Sequence, residues 1–194
     1  MIPIQCVWPD GIFKVGIKFS KTYRFTDINY KVASRNDKET MFLAYSELLN
    51  SLDCAATTKL TICNRRQSQA DFEQSVLMPM QEDGLDKYRR EYNQMLMDKA
   101  TGANGITQEK YVTITVYKRD IEDARAYFAR IGADLTARFA ALGSKCVELD
   151  ATDRLRILHD FYRAGDEGNF HFDMADMARK GHDFKDYICP DGIE

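Results

Sequence analysis

His171, Asp173, Asp176, His182 and Asp183 gather metal-ligating side chains within 13 residues of a 194-residue chain. Such a set could hold a divalent cation and activate water for hydrolysis, as a metal-dependent hydrolase requires. The spacing argues otherwise. No H-E-x-x-H or comparable pattern sets two of these ligands on one helical face, so a solvated acidic tail with incidental histidines is the simpler reading. His159 falls one turn beyond Leu155 on an amphipathic pattern, and reads as a satisfied, partly buried histidine rather than a base. No residue is assigned a catalytic, cofactor-binding or metal-binding role.

Nucleotide chemistry finds no cradle in the chain. No G-x-x-x-x-G-K-[ST] or G-x-G-x-x-G occurs, and "GSK" at Gly143–Lys145 lacks the upstream glycine and precedes a strand pattern. No cofactor is expected in these residues. The five cysteines are scattered without a C-x-x-C pair, which suits reduced core thiols and a cytosolic face. Cys63 and Cys146 fall inside strand patterns, where burial is favoured over nucleophilic catalysis.

Two basic clusters stand out: Arg65 and Arg66, then Lys87, Arg89 and Arg90 among tyrosines. They define a possible interaction patch, whose simpler reading is a solvated helical face. If it bound single-stranded nucleic acid, affinity would fall steeply with salt. The net charge of −3 supplies no broad attraction to nucleic acid or anionic lipid. Between Asp150 and Glu194 the chain carries 11 acidic and 6 basic residues, so its last quarter is distinctly acidic. The apolar runs are far short of the roughly 20 residues that span a bilayer, and no secretory leader pattern opens the chain.

The elements that would position these groups follow from periodicity. Pro9-Asp10-Gly11 suits a tight turn. After it, Phe13, Val15, Ile17 and Phe19 alternate with Lys14 and Lys18 as one strand. Ser20-Lys21-Thr22 reads as the connection to a second strand, Tyr23–Tyr30. Met41, Tyr45, Leu48 and Leu52, backed by Phe42 and Leu49, predict an amphipathic helix over Asp37–Leu52. Thr58–Arg66 alternates again, with Leu60 and Ile62 expected inward. Ala70–Leu77 and Leu85–Ala100 read as helices, and Thr101–Gln108 as a loop by its glycines.

Tyr111–Tyr117 is the clearest strand, β-branched and alternating. Ile121, Ala124, Phe128, Ile131, Leu135, Phe139 and Leu142 predict the longest helix, with Gly132 costing it about 1 kcal/mol relative to Ala and Gly143 stopping it. Lys145–Asp150 is a short strand. Asp150 should cap a helix over Ala151–Arg163, and Asp173 one that ends at Gly181.

This order predicts an α+β fold: an antiparallel sheet with helices on one face, and a ferredoxin-like split-βαβ core preceded by a β-hairpin. Residues 1–165 form the expected domain, with a helical insertion near 68–108. Residues 166–194 form an acidic, less regular segment. Pro-Asp-Gly-Ile recurs at Pro9–Ile12 and Pro190–Ile193 with unrelated flanks, which is turn chemistry rather than a repeat. The second copy is expected to open a strand of a following segment.

Five stretches, in order, carry a family resemblance: "YRFTDINYKVAS" (Tyr23–Ser34), "KLTICNRR" (Lys59–Arg66), "KYVTITV" (Lys110–Val116), "LDATDRLRILHDFYR" (Leu149–Arg163) and "DFKDYICPD" (Asp183–Asp191). The set resembles the N-terminal region of VirB-class type IV secretion ATPases, the CagE/TrbE/VirB family, in the form carried by conjugative transposons of Gram-positive bacteria. The resemblance implies a non-catalytic docking and assembly domain, cytoplasmic and peripheral at the inner face of the membrane. Its implied partners are inner-membrane channel subunits and, through the parent hexamer, further copies, with no direct contact to nucleic acid. ATP and magnesium would belong to a motor downstream. The family's catalytic lysine and acidic residues have no matching positions in this chain.

Overall fold

The computed structural model describes residues 2–28, 30, 33–66, 77–102 and 106–189. Six strands form one sheet: β1 (Cys6–Val7), β2 (Phe13–Val15), β3 (Lys18–Phe25), β4 (Thr57–Arg66), β5 (Ile106–Tyr117) and β6 (Cys146–Glu148). Five α-helices stand among the described residues: α1 (Arg35–Asn50), α2 (Asp86–Gly102), α3 (Ile121–Ala141), α4 (Ala151–Tyr162) and α5 (Met174–Lys180). The class is α+β. By its contacts the chain divides into two compact units, one of Met1–Thr61 with Lys110–Glu194, the other Ile62–Glu109.

The path through the sheet runs β1-β2-β3-β5-β4, and β6 pairs with β3. β5 is antiparallel to the whole of β3, from Lys18↔Tyr117 to Phe25↔Lys110. The other edge of β3 is shared: β2 takes Lys18–Ser20 and β6 takes Tyr23–Phe25. β5 therefore separates the two strands joined through α1, and β3 separates the two joined through α3.

The hairpin forms earlier than periodicity suggests. Val15 pairs with Lys18 across a two-residue turn at Gly16-Ile17, where Gly16 has φ +60°. Positive φ at such a turn matches the twist of the flanking strands and favours glycine. The expected strand through Phe13, Val15, Ile17 and Phe19 is thus folded in two, and Ile17 at the turn is 69% exposed. Ser20-Lys21-Thr22 is no connection but the middle of β3. The upstream turn holds as expected: the Gly11 amide donates to the Trp8 carbonyl at 2.9 Å. A Cβ at Gly11 would lie 2.1 Å from the Leu149 carbonyl oxygen, so this turn needs glycine to seat against the start of α4.

On β3, Phe19, Lys21 and Tyr23 share a face with their partners Val116, Ile114 and Val112. That face is covered by α3 through Phe128, Ile131 and Leu135, and by α1 through Leu48 and Met41, with Leu52 just past the helix end. The helices start where their caps dictate: the Ser34, Asp120 and Asp150 side chains each accept an amide three residues on.

Helix α4 reaches the sheet's other face at the hairpin end. Arg154 lies over the Phe13 ring at 3.8 Å, and its guanidinium donates to the Gly11 and Ser20 carbonyls, both at 2.7 Å. Burial pulls its pKa below the usual arginine range.

Three further expectations are corrected. Leu60 and Ile62 are each 53% exposed; β4 ends the path through the sheet, and its other alternating positions, Thr61 and Cys63, are the half-buried ones. Of the stretch expected as a loop, Thr101 and Gly102 end α2 and Ile106–Gln108 begin β5, while residues 103–105 lie outside the described residues. The described residues after Gly165 are anchored to the fold by apolar side chains, although His171, Asp173, His182 and Asp183 stay exposed as expected of a solvated acidic face. Phe170, Phe184 and Ile188 form a second core with Phe13 and Leu155. Its carboxylates do local work: Asp173 caps α5 and Asp183 caps the 3-10 turn Phe184–Tyr187. The helix expected over Ala70–Leu77 lies outside the described residues, except for Leu77, as does the second Pro-Asp-Gly-Ile.

Candidate interaction surfaces

The ligand-type residues of the C-terminal segment do not converge. Asp173 accepts the Ala175 amide at 2.7 Å, Asp176 pairs with Arg179 at 2.6 Å and with Lys180 at 3.2 Å, and Asp183 accepts the Lys185 amide at 3.1 Å. His182 faces Asp186 at 3.5 Å. No group of three potential metal ligands stands together among the described residues. His159 is 2% exposed, with Nδ1 3.4 Å from Asp160 and its ring 5.1 Å from Phe170. It is a buried core histidine. Cys146 is buried and Cys63 half-buried; desolvation pushes the Cys146 thiol up to about 11, which leaves it protonated at neutral pH.

The basic patch is divided by its own neighbours. Arg89 turns back onto the loop before α2, reaching Asp83 at 2.5 Å and Asp86 at 2.7 Å. Hydrogen bonding to Arg89 holds the Asp83 carboxyl down at about 2. Asp86 is lowered as well, chiefly by the Gln81 amide and then by Arg89. Asn93 ties the same loop down, exchanging two 2.9 Å bonds with the Met78 backbone. Lys87 and Arg90 remain exposed, while Arg65 and Arg66 end β4 with side chains outside the description. Arg89 is a loop clamp, a role its place beside Asp83 and Asp86 could have suggested.

Two features of the first unit go beyond the sequence reading, and the second corrects it, because Phe42, Tyr45 and Leu49, expected on the apolar face of α1, are exposed. One is an open groove of about 750 Å³ along α3, lined by Ala129, Gly132, Ala133, Thr136, Ala137 and Ala140 and closed by two ion pairs. Lys21 meets Glu148 at 2.5 Å, and Arg125 meets Asp10 at 2.7 Å. Gly132 makes room for the first pair, since a Cβ there would lie 2.2 Å from the Glu148 carboxylate. Asp10 Oδ1 is buried without a hydrogen-bond partner among the described residues. Its four charged lining residues are thus paired two by two, and the rest of the lining is mostly small side chains.

The other feature is the outer side of α1. Phe42 is 64% exposed and Leu43, Tyr45 and Leu49 stand exposed with it, next to Tyr30, whose ring lies under the Lys38 ammonium at 5.6 Å. The exposed and inward apolar residues of α1 alternate at helical spacing, so periodicity marks both sets as apolar without saying which meets the core.

No protein-family model matches the chain, and no curated protein matches it. No helix among the described residues is long and apolar enough to cross a membrane.

Proposed function

We propose that this chain is the non-catalytic docking and assembly domain of a conjugative-transfer ATPase of the CagE/TrbE/VirB class, acting by protein–protein contact with inner-membrane channel subunits from the cytoplasmic side. The observation that carries the reading is the ordered set of resembling segments, Leu149–Arg163 above all. That segment is central to the fold. Asp150 caps α4, Leu155 fills the second core, and Arg154 ties α4 to the Gly11 turn and to β3. Exposed apolar side chains on α1 and paired rather than reactive charges in the α3 groove suit docking better than catalysis.

The test has two arms. The purified chain should show no ATP turnover above a buffer control, and it should bind saturably to the channel's inner-membrane subunits in lipid nanodiscs. Robust hydrolysis, or no binding to any of those subunits, overturns the reading.

A further inference from the structure

Where β2 turns into β3 the chain reads Lys14-Val15-Gly16-Ile17-Lys18, and β5 leaves the same end of the sheet as Tyr117-Lys118-Arg119. Register sets the two stretches side by side. Val15 pairs with Lys18 and Lys18 with Tyr117, so these three share one face in the last row of the ladder. Ile17 stands beyond that row at the turn itself, 69% exposed, while Tyr117 is 55% exposed and Val15 is exposed with them. A two-residue turn with glycine first favours a small polar residue in second place. An isoleucine there gains nothing from the turn and nothing from burial.

The charges beside this apolar tip are lysines. The Lys14, Lys18 and Lys118 ammonium groups rest over the Phe19, Tyr117 and Tyr127 rings at 5.5, 5.1 and 4.6 Å, and none of the three meets a carboxylate among the described residues. Of the acids that follow, Asp120 caps α3 and faces Arg119 at 3.4 Å, Glu122 faces Arg125 at 2.9 Å, and Asp123 is exposed on the first turn of α3. An exposed aliphatic tip with a tyrosine at its base and uncompensated lysines around it matches an anionic bilayer. The acyl boundary takes Ile17 and Val15, the headgroup level takes Tyr117, and lipid phosphates take the ammonium groups. Helix α1 fits such a surface less well, because its exposed apolar residues stand among exposed Asp37, Glu39 and Glu47. Single-stranded nucleic acid fits the tip less well, since successive bases need successive rings to stack on and the tip offers one tyrosine.

We propose that the β2–β3 hairpin tip is a membrane-contacting finger. Ile17 and Val15 enter the surface of a bilayer that contains anionic lipid, and Lys14, Lys18 and Lys118 hold its phosphates. This goes beyond the docking reading and does not rest on it, because the ligand is lipid rather than a channel subunit. One hairpin tip and three lysines make a weak, reversible attachment that salt loosens.

Co-sedimentation of the full chain with lipid vesicles tests it. At about 50 mM salt the chain should bind phosphatidylcholine vesicles holding about 30% phosphatidylglycerol at least about tenfold better than phosphatidylcholine alone. Raising the salt to about 300 mM should release most of it. Ile17→Asn should weaken binding about tenfold, and asparagine suits the turn, so the hairpin is kept. Lys18→Gln and Lys118→Gln should each weaken it about fivefold, whereas Phe42→Ser on α1 should leave it unchanged. Equal binding to both vesicles, wild-type binding by Ile17→Asn, or release by Phe42→Ser overturns the proposal. So does a chain that ignores the vesicles but binds single-stranded DNA through the same lysines. A chain that binds the channel subunits in neutral-lipid nanodiscs yet ignores anionic vesicles also overturns it, and leaves the docking reading standing.

Discussion

The Lys21 ammonium sits 2.5 Å from the Glu148 carboxylate on the helix-covered face of the sheet, between the buried Phe19 and Tyr23. Lys21 is nine-tenths buried while Glu148 remains partly open to solvent. Removing the carboxylate therefore strands a buried cation, which costs more than the pair itself contributes. Glu148→Ala should destabilise the chain by about 2–3 kcal/mol in urea unfolding. Lys21→Met combined with Glu148→Ala should recover at least about 1 kcal/mol of that loss. Equal stability of the single and double variants would show that the pair is not coupled.

Gly132 lies beneath the same carboxylate, and the two residues should be coupled in turn. An alanine gains about 1 kcal/mol of helix propensity in the middle of α3, yet its Cβ would fall 2.2 Å from Glu148 Oε1 and 3.2 Å from the Tyr23 ring. The crowding should win, so Gly132→Ala should lower stability by about 1–2 kcal/mol. In a Glu148→Ala background the nearest contact is gone, and the loss should shrink by at least about 1 kcal/mol. A double-mutant cycle by denaturant unfolding reads the coupling directly, and additive effects would refute it.

Where a pattern was local, the sequence sufficed. Asp150 and Asp173 announce helix starts because a cap bonds amides two or three residues away. The α3 stripe was legible for the same reason. What escaped depended on partners distant in the chain. Gly132 looked like a propensity cost until Glu148 stood over it. Lys21 looked like a turn residue because a lysine inside an apolar alternation breaks the pattern, and its partner lies 127 positions away. The split of "FKVGIKF" into a hairpin was masked because β2 ends and β3 begins without a change in composition; only Gly16 marks the bend. Acidity made the segment after Gly165 look solvated, although its aromatic residues supply a second core and its aspartates serve as caps.

The alkaline limb of stability should be set by two buried acids. Cys146 is raised to about 11 by desolvation and then by Glu148. Tyr23 is raised as well, first by burial and then by Glu148, with its hydroxyl donating to the Phe128 carbonyl at 3.3 Å. A pKa raised in the folded state means that the unfolded chain releases its proton first. Stability from Cys146 is thus complete below about pH 9 and lost as pH rises from about 9 to about 11. Urea midpoints should hold level from pH 7 to 8.5 and then fall, and Cys146→Ala should flatten the first part of the fall. Native Cys6 and Cys54, both exposed, should react with a thiol reagent at pH 8 while Cys146 does not.

The acid limb has a local signature around Arg89. The Asp83 carboxyl is held down at about 2 by the Arg89 guanidinium, then by the Leu85 amide. A pKa lowered in the folded state means that the unfolded chain takes up the proton first, so the stabilisation is present above about pH 4 and lost as pH falls toward about 2. Both carboxylates and Arg89 are near solvent, so the effect should loosen the loop before α2 rather than unfold the chain. Amide exchange at Gln81, Glu82 and Leu85, which donate to Asp86 and Asp83, should accelerate between pH 4 and 2.5 relative to amides in α3. Arg89→Ala should bring the acceleration to higher pH by returning Asp83 toward an ordinary carboxylate, whereas Arg90→Ala, whose side chain donates to the Asp86 carbonyl rather than to either carboxylate among the described residues, should leave it in place. Identical profiles for the two variants would remove Arg89 from its role as the loop's clamp.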